Sequence, residues 1–154
     1  MIGHQAPDFG LFSDEKEFFK LEDFRGKQDV VLLFFPAAFT GVCTTELNTV
    51  NNDIEAYGGA QVVGISTDTP FTLAEFKKVN GLRFPLLSDH NGTVAERYGA
   101  KYDHNFTGMK LDRIAKRSAF VVGKDGVIKY AEVLENAGDL PDLEKVRAAV
   151  ASES

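Results

Sequence analysis

The most apolar stretch of the chain, residues 30–35 (Val-Val-Leu-Leu-Phe-Phe), has no polar residue on either parity. A short run that is apolar throughout is the pattern of a central strand covered on both faces. Pro36 and a turn follow it. A helix is predicted from Thr40 to about Tyr57, ended by Gly58-Gly59. Residues 61–66 read as the next strand. Thr69-Pro70 then has the form of an N-cap with proline at the first helical position. The helix it opens runs to Asn80, with Phe71, Ala74 and Val79 as its apolar positions and Gly81 as its stop.

The flanking segments are shorter. Residues 9–21 suggest a hairpin or strand pair at a sheet edge. Residues 83–88 are extended, and Pro85 suits an edge or the start of a strand. Residues 93–98 predict a short helix ended by Gly99. The apolar runs 118–122 and 127–134 flank Lys124-Asp125-Gly126, which predicts a β-hairpin. Asp139-Leu140-Pro141 opens a last helix, from 142 to about 151. Strands alternating with helices, closed by a hairpin and a helix, give an α/β sandwich with a mixed sheet. This pattern alone fits a thioredoxin-like or a flavodoxin-like order equally well. No linker, repeat or low-complexity tract interrupts it, so one domain across 1–154 is expected.

Composition narrows the class. With 44% hydrophobic and 26% charged residues, the chain has the balance of a globular protein. Thirteen phenylalanines and no tryptophan imply a phenylalanine-rich core. A net charge of -6 argues against nucleic acid, whose affinity rests on cationic neutralisation of phosphates. It offers equally little to an anionic membrane surface. The N-terminal Met1-Ile2-Gly3-His4 lacks the basic and apolar regions of a signal peptide. The run 30–39 is too short to span a bilayer, which takes about 20 residues. A cytoplasmic protein is therefore expected, with no membrane and no nucleic-acid partner. His4, His90 and His104 share no metal-ligand spacing with one another or with the cysteine, so neither a metal nor a cofactor is expected.

Cys43 is the only cysteine. It falls in the first turn of the helix that the central strand feeds. Unpaired backbone N–H groups and the positive end of the helix dipole point at that position. Both favour thiolate over thiol, which marks an activated nucleophile rather than a buried small hydrophobe. One cysteine precludes a disulfide framework within the chain and makes a reducing compartment the default.

Pro36, Thr40 and Cys43 stand in the order P-x-x-x-T-x-x-C. This resembles the active-site signature of the peroxiredoxins, thiol peroxidases of the thioredoxin-like superfamily. Three other segments agree. Gly3-His4-Gln5-Ala6-Pro7-Asp8-Phe9 is similar to the family's G-x-x-A-P-D-F opening. Leu21-Glu22-Asp23-Phe24-Arg25-Gly26-Lys27 is similar to the lead into its first core strand. Arg117-Ser118-Ala119-Phe120-Val121-Val122 resembles its R-x-x-F-V-V segment. The motif region looks closest to the one-cysteine alkyl hydroperoxide reductase E type. Asn48 occupies the place where bacterioferritin-comigratory-type relatives often carry a second cysteine.

The resemblance implies a thioredoxin-like sandwich, a central mixed sheet flanked by helices, with an N-terminal β extension. It implies that Cys43 is the peroxidatic nucleophile. Thr40 would bond thiolate and peroxide, Pro36 would shield the sulfur from water, and Arg117 would hold sulfur and peroxide oxygen in line. Glu46 would orient that arginine. The chemistry agrees with these roles. Arg117 is a fixed fork of donors that stays charged, a hydroxyl at Thr40 both donates and accepts, and the backbone N–H of Val42 adds a donor at the helix start. The expected reaction is reduction of hydrogen peroxide and organic hydroperoxides through a Cys43 sulfenic acid, resolved by an external thiol or thiol-protein reductant. The family commonly forms dimers, so a homodimer is expected, meeting at residues 37–39 and the loop after Asp68. Two other readings compete: a redox sensor whose oxidation a partner reads, and a binding domain with an inert cysteine.

Overall fold

The computed structural model describes residues 2–102, 109 and 111–151. His104 lies outside the described residues. A seven-stranded mixed sheet, in the order β2-β1-β5-β4-β3-β6-β7, organises the chain. Its strands are β1 (Gly10–Ser13), β2 (Phe18–Lys20), β3 (Val30–Phe34), β4 (Gln61–Ser66), β5 (Leu86–Ser88), β6 (Ser118–Val122) and β7 (Ile128–Val133). The helices are α1 (Gly41–Asn52), α2 (Pro70–Asn80), α3 (Thr93–Arg97) and α4 (Leu143–Ala151). This is the thioredoxin-like sandwich with its N-terminal hairpin: β1 and β2 pair with each other, and β1 joins the core sheet antiparallel to β5.

The uniform apolarity of β3 has the predicted cause. Val30, Leu32 and Phe34 point into one core layer with Val94, Tyr98 and Phe120. Val31, Leu33 and the following Phe35 point into the other, against Leu47 and Val50 of α1, Leu73 and Phe76 of α2, and Val146 of α4. β3 is thus sandwiched by side-chain parity, the odd and even positions serving different layers. β5, which the sequence allows at an edge, lies inside the sheet between β1 and β4. Pro85 immediately precedes it, where the ladder does not need its missing N–H.

Two helices differ from expectation. The predicted helix from Thr40 breaks at Asp53 and continues as a 3-10 turn, Ile54–Tyr57, before Gly58. In α2 the core face is Leu73 and Phe76, while Phe71 and Val79 are 69% and 66% exposed. The i,i+3 pair packs on the sheet; of the three residues read as its apolar face, Phe71 and Val79 point to solvent and Ala74 is half-buried. The predicted N-cap holds: Thr69 Oγ1 accepts from the Thr72 amide at 3.3 Å, and Gly81 closes the helix in the left-handed region with φ 63°.

Strand direction brings the motif residues together. β3, β4 and β5 are mutually parallel, so their C-terminal ends share one edge of the sheet. β6 runs antiparallel to β3, with Phe34 opposite Ser118. The start of β6 therefore lies beside the end of β3. Arg117, one residue before β6, meets the loop and helix that leave β3.

Candidate active site

Cys43 is the third residue of α1 and is fully buried. Thr40 is the N-cap residue, with extended backbone. The first α-helical bond closes from the Thr44 amide to the Thr40 carbonyl at 2.9 Å. The amides of Gly41, Val42 and Cys43 thus precede the intrahelical ladder and head the helix as donors. On the other side, α1 is anchored by Leu47 and Val50 in the core.

Arg117 is 1% exposed, an unusual state for a guanidinium, and its partners explain it. Nη1 donates to Cys43 Sγ at 3.3 Å and to Glu46 Oε1 at 2.9 Å. Nη2 donates to the Ala137 carbonyl at 3.0 Å. Glu46 lies three residues beyond Cys43, just under one helical turn, so one helix face presents both the sulfur and the carboxylate to the arginine.

The two charges respond differently to burial. Desolvation pushes the Glu46 carboxyl up to about 7, against the opposing pull of Arg117 through charge and hydrogen bond. For Arg117, burial works to lower its pKa, but the negative charges on Cys43 and Glu46, with their hydrogen bonds, carry it above its ordinary value. The cation is therefore secure, while the carboxylate is held near the middle of its titration at neutral pH. Among the described residues, Glu46 Oε2 has no hydrogen-bond partner, in keeping with a carboxyl that burial discourages from ionising.

A pocket of about 250 Å³ opens over the sulfur, lined by Pro36, Thr40, Gly41, Val42, Cys43, Arg117, Ala137 and Gly138. Its wall is mainly apolar. Pro36 is buried beside it. Thr40 Oγ1 donates to the Ala37 carbonyl at 2.7 Å, so its hydrogen is directed along the loop and its lone pairs remain for a ligand in the pocket. All six residues singled out by the sequence, Pro36, Thr40, Val42, Cys43, Glu46 and Arg117, gather here. Sequence reading missed Ala137 and Gly138. They contribute backbone rather than side-chain chemistry, which leaves no residue-type signal.

A buried sulfur at a helix start, under a guanidinium brought by the neighbouring antiparallel strand, defines a thioredoxin-like thiol protein. The chain belongs to the AhpC/TSA family, the peroxiredoxins, whose pattern it matches over residues 2–131. A bcp-type peroxiredoxin of Haemophilus influenzae is 38% identical over 130 residues, 82% of each chain. Alkyl hydroperoxide reductase E of Mycobacterium tuberculosis is 33% identical over 145 residues, covering 92% of this chain and 90% of that one. The crystal structure of peroxidoxin BcpB from Mycobacterium tuberculosis superposes with a TM-score of 0.85 at 30% identity, over 97% of this chain and 95% of that one.

Proposed function

We propose that Cys43 carries the peroxidase chemistry of this peroxiredoxin. The observation that supports it most directly is the single nitrogen of Arg117 shared between Cys43 Sγ and Glu46 Oε1 beneath an open pocket. Arg117 and Cys43 both line that pocket, where a peroxide oxygen would meet the sulfur.

In this reading the thiolate attacks one oxygen of a hydroperoxide. The S–O bond forms as the O–O bond breaks, and the departing oxygen leaves as water or alcohol after gaining a proton. Sulfur is oxidised to sulfenic acid and the peroxide is reduced. Arg117 and the amides at the head of α1 face the developing charge. Thr40 Oγ1 accepts from the peroxide O–H, and Pro36 limits access of water. The apolar wall of the pocket suits organic hydroperoxides as well as hydrogen peroxide.

Cys43 is the only cysteine in the sequence, so the return step is assigned to an external thiol or thiol protein. A first thiol condenses with the sulfenic acid and releases water. A second displaces the mixed disulfide and regenerates Cys43. No helix among the described residues is long and apolar enough to cross a membrane. A lone free thiol fits the reducing cytoplasm. A homodimer is assigned to the face formed by residues 37–39 and the loop after Asp68, where Phe39 is 54% exposed. Sedimentation velocity tests it.

Peroxide consumption with dithiothreitol as reductant tests the assignment. Wild-type protein turns over and Cys43→Ser does not. Turnover by Cys43→Ser contradicts it.

A further inference from the structure

Asp68 lies on the loop between β4 and α2, away from the cysteine–arginine pair. Its carboxylate nevertheless reaches the loop that carries Pro36 and Thr40. Oδ2 accepts from the Ala38 amide at 2.8 Å and from Ser66 Oγ at 2.7 Å. Ser66 Oγ accepts in return from the Asp68 amide at 3.2 Å, and Ser88 Oγ donates to the Asp68 carbonyl at 2.6 Å. Ser66 and Ser88 are buried and face each other across β4 and β5. Asp68 is therefore fixed to the rigid sheet through both backbone and side chain.

The residue after Ala38 adds a second attachment. Phe39 has φ 66°, in the left-handed region that a bulky side chain rarely occupies. Its ring packs edge-on against Phe76 of α2, with centroids 5.2 Å apart. Such a conformation persists only where its surroundings impose it. Two consecutive residues of the cysteine loop are thus held by the β4–α2 segment, immediately before Thr40. The Thr40 hydroxyl closes the same turn on Ala37.

We propose that Asp68 is a positioning residue for peroxide reduction. By holding the Ala38 amide it sets Thr40 and Pro36 against the Cys43 sulfur. This rests on the reading of Cys43 and Thr40 given above. Without the carboxylate, the Ala38 amide turns to water, the backbone at Phe39 relaxes, and Thr40 moves with it. Cys43 is secured separately, by the packing of α1 and by Arg117. The loss therefore falls on the alignment of peroxide, not on the sulfur.

The test compares wild type, Asp68→Ala and Asp68→Asn in single-turnover reactions with hydrogen peroxide and, at the same pH, with iodoacetamide, which needs only the sulfur. Asp68→Ala loses about 10- to 100-fold with peroxide, the scale of an ångström-sized misplacement, and stays within about threefold with iodoacetamide. Asp68→Asn, whose amide oxygen still accepts from Ala38, recovers to within about threefold of wild type. A wild-type peroxide rate in Asp68→Ala, or a parallel fall with both reagents, overturns the proposal. So does a loss that follows a lowered sedimentation coefficient and is reversed at higher protein concentration. Ser66→Ala keeps the carboxylate but removes the hydroxyl that orients it, and loses about fivefold with peroxide, the scale of one hydrogen bond. If Asp68→Ala fails to fold, a wild-type peroxide rate in Ser66→Ala overturns the proposal instead. A wild-type protein no faster than a free thiol contradicts the peroxidase reading itself; a fast wild type with an equally fast Asp68→Ala contradicts this inference alone.

Discussion

Arg117 Nη1 stands 3.3 Å from Cys43 Sγ and 2.9 Å from Glu46 Oε1, so one nitrogen joins a sulfur and a carboxylate three residues apart on the same helix. The arrangement follows from antiparallel β3–β6 pairing, which brings position 117 to the end of β3. Removing the guanidinium leaves Glu46 buried with no opposing charge and leaves the sulfur without its cation. Arg117→Ala is expected to lower the rate with hydrogen peroxide by about 10–100-fold, on the scale of lost oxyanion donors. Arg117→Lys does not restore it, because one ammonium cannot supply the two-nitrogen reach to Cys43, Glu46 and the Ala137 carbonyl. Single-turnover rates check both.

Glu46 gives a pH signature. Its folded-state pKa is raised from 4.5 to about 7, so between those values the folded protein binds more protons here than the unfolded chain. Stability from this group is present below about pH 4.5 and is lost as pH rises through about 7. Glu46→Gln removes the titration. Urea unfolding should show wild type losing stability relative to Glu46→Gln between about pH 5 and pH 8, with no further divergence above that window. A constant difference across the range contradicts the raised pKa.

Thr40 separates capping from chemistry. Its side chain makes no cap bond to the helix, and its hydroxyl donates to Ala37 instead. Thr40→Ser keeps the hydroxyl and is expected to stay within about threefold of wild type in peroxide reactivity. Thr40→Val keeps the shape and loses the acceptor, with an expected fall of about 10-fold or more. Equal rates in the two variants would remove the hydroxyl from the mechanism.

Asn51 tests the scaffold apart from the chemistry. This buried side chain donates to the Gly81 carbonyl at 3.0 Å and accepts from the Arg83 amide at 2.8 Å, tying the end of α1 to the connection between α2 and β5. Asn51→Ala strips two backbone groups of their partner and should cost about 1–3 kcal/mol in denaturant unfolding. The peroxide rate of the folded variant should change little.

The strands were the most legible part of the chain. Residues 61–66 match β4 at both ends, and 30–35 overruns β3 by one residue, because short, largely apolar runs bounded by turn residues mark buried strands. The cysteine motif was legible because its chemistry lies in side-chain types at fixed spacing. The face of α2 was not: Phe71, Leu73, Phe76 and Val79 are all apolar, and only packing against the sheet selects Leu73 and Phe76. The pairing of β1 with β5 joins segments far apart in sequence and depends on sheet closure, which periodicity does not encode. The carbonyl of Ala137 and the amide of Ala38 act through the backbone, so their residue types carry no trace of the role.

Oxidation of Cys43 by peroxide and its restoration by an external thiol are the two halves of the proposed cycle. The most direct measurement is rapid mixing of pre-reduced protein with one equivalent of hydrogen peroxide, and separately of an organic hydroperoxide, followed by quenching and mass spectrometry. A gain of one oxygen is expected on Cys43, formed much faster than on a free thiol at the same pH and reversed by added thiol. Oxidation at the pace of a free thiol would contradict it.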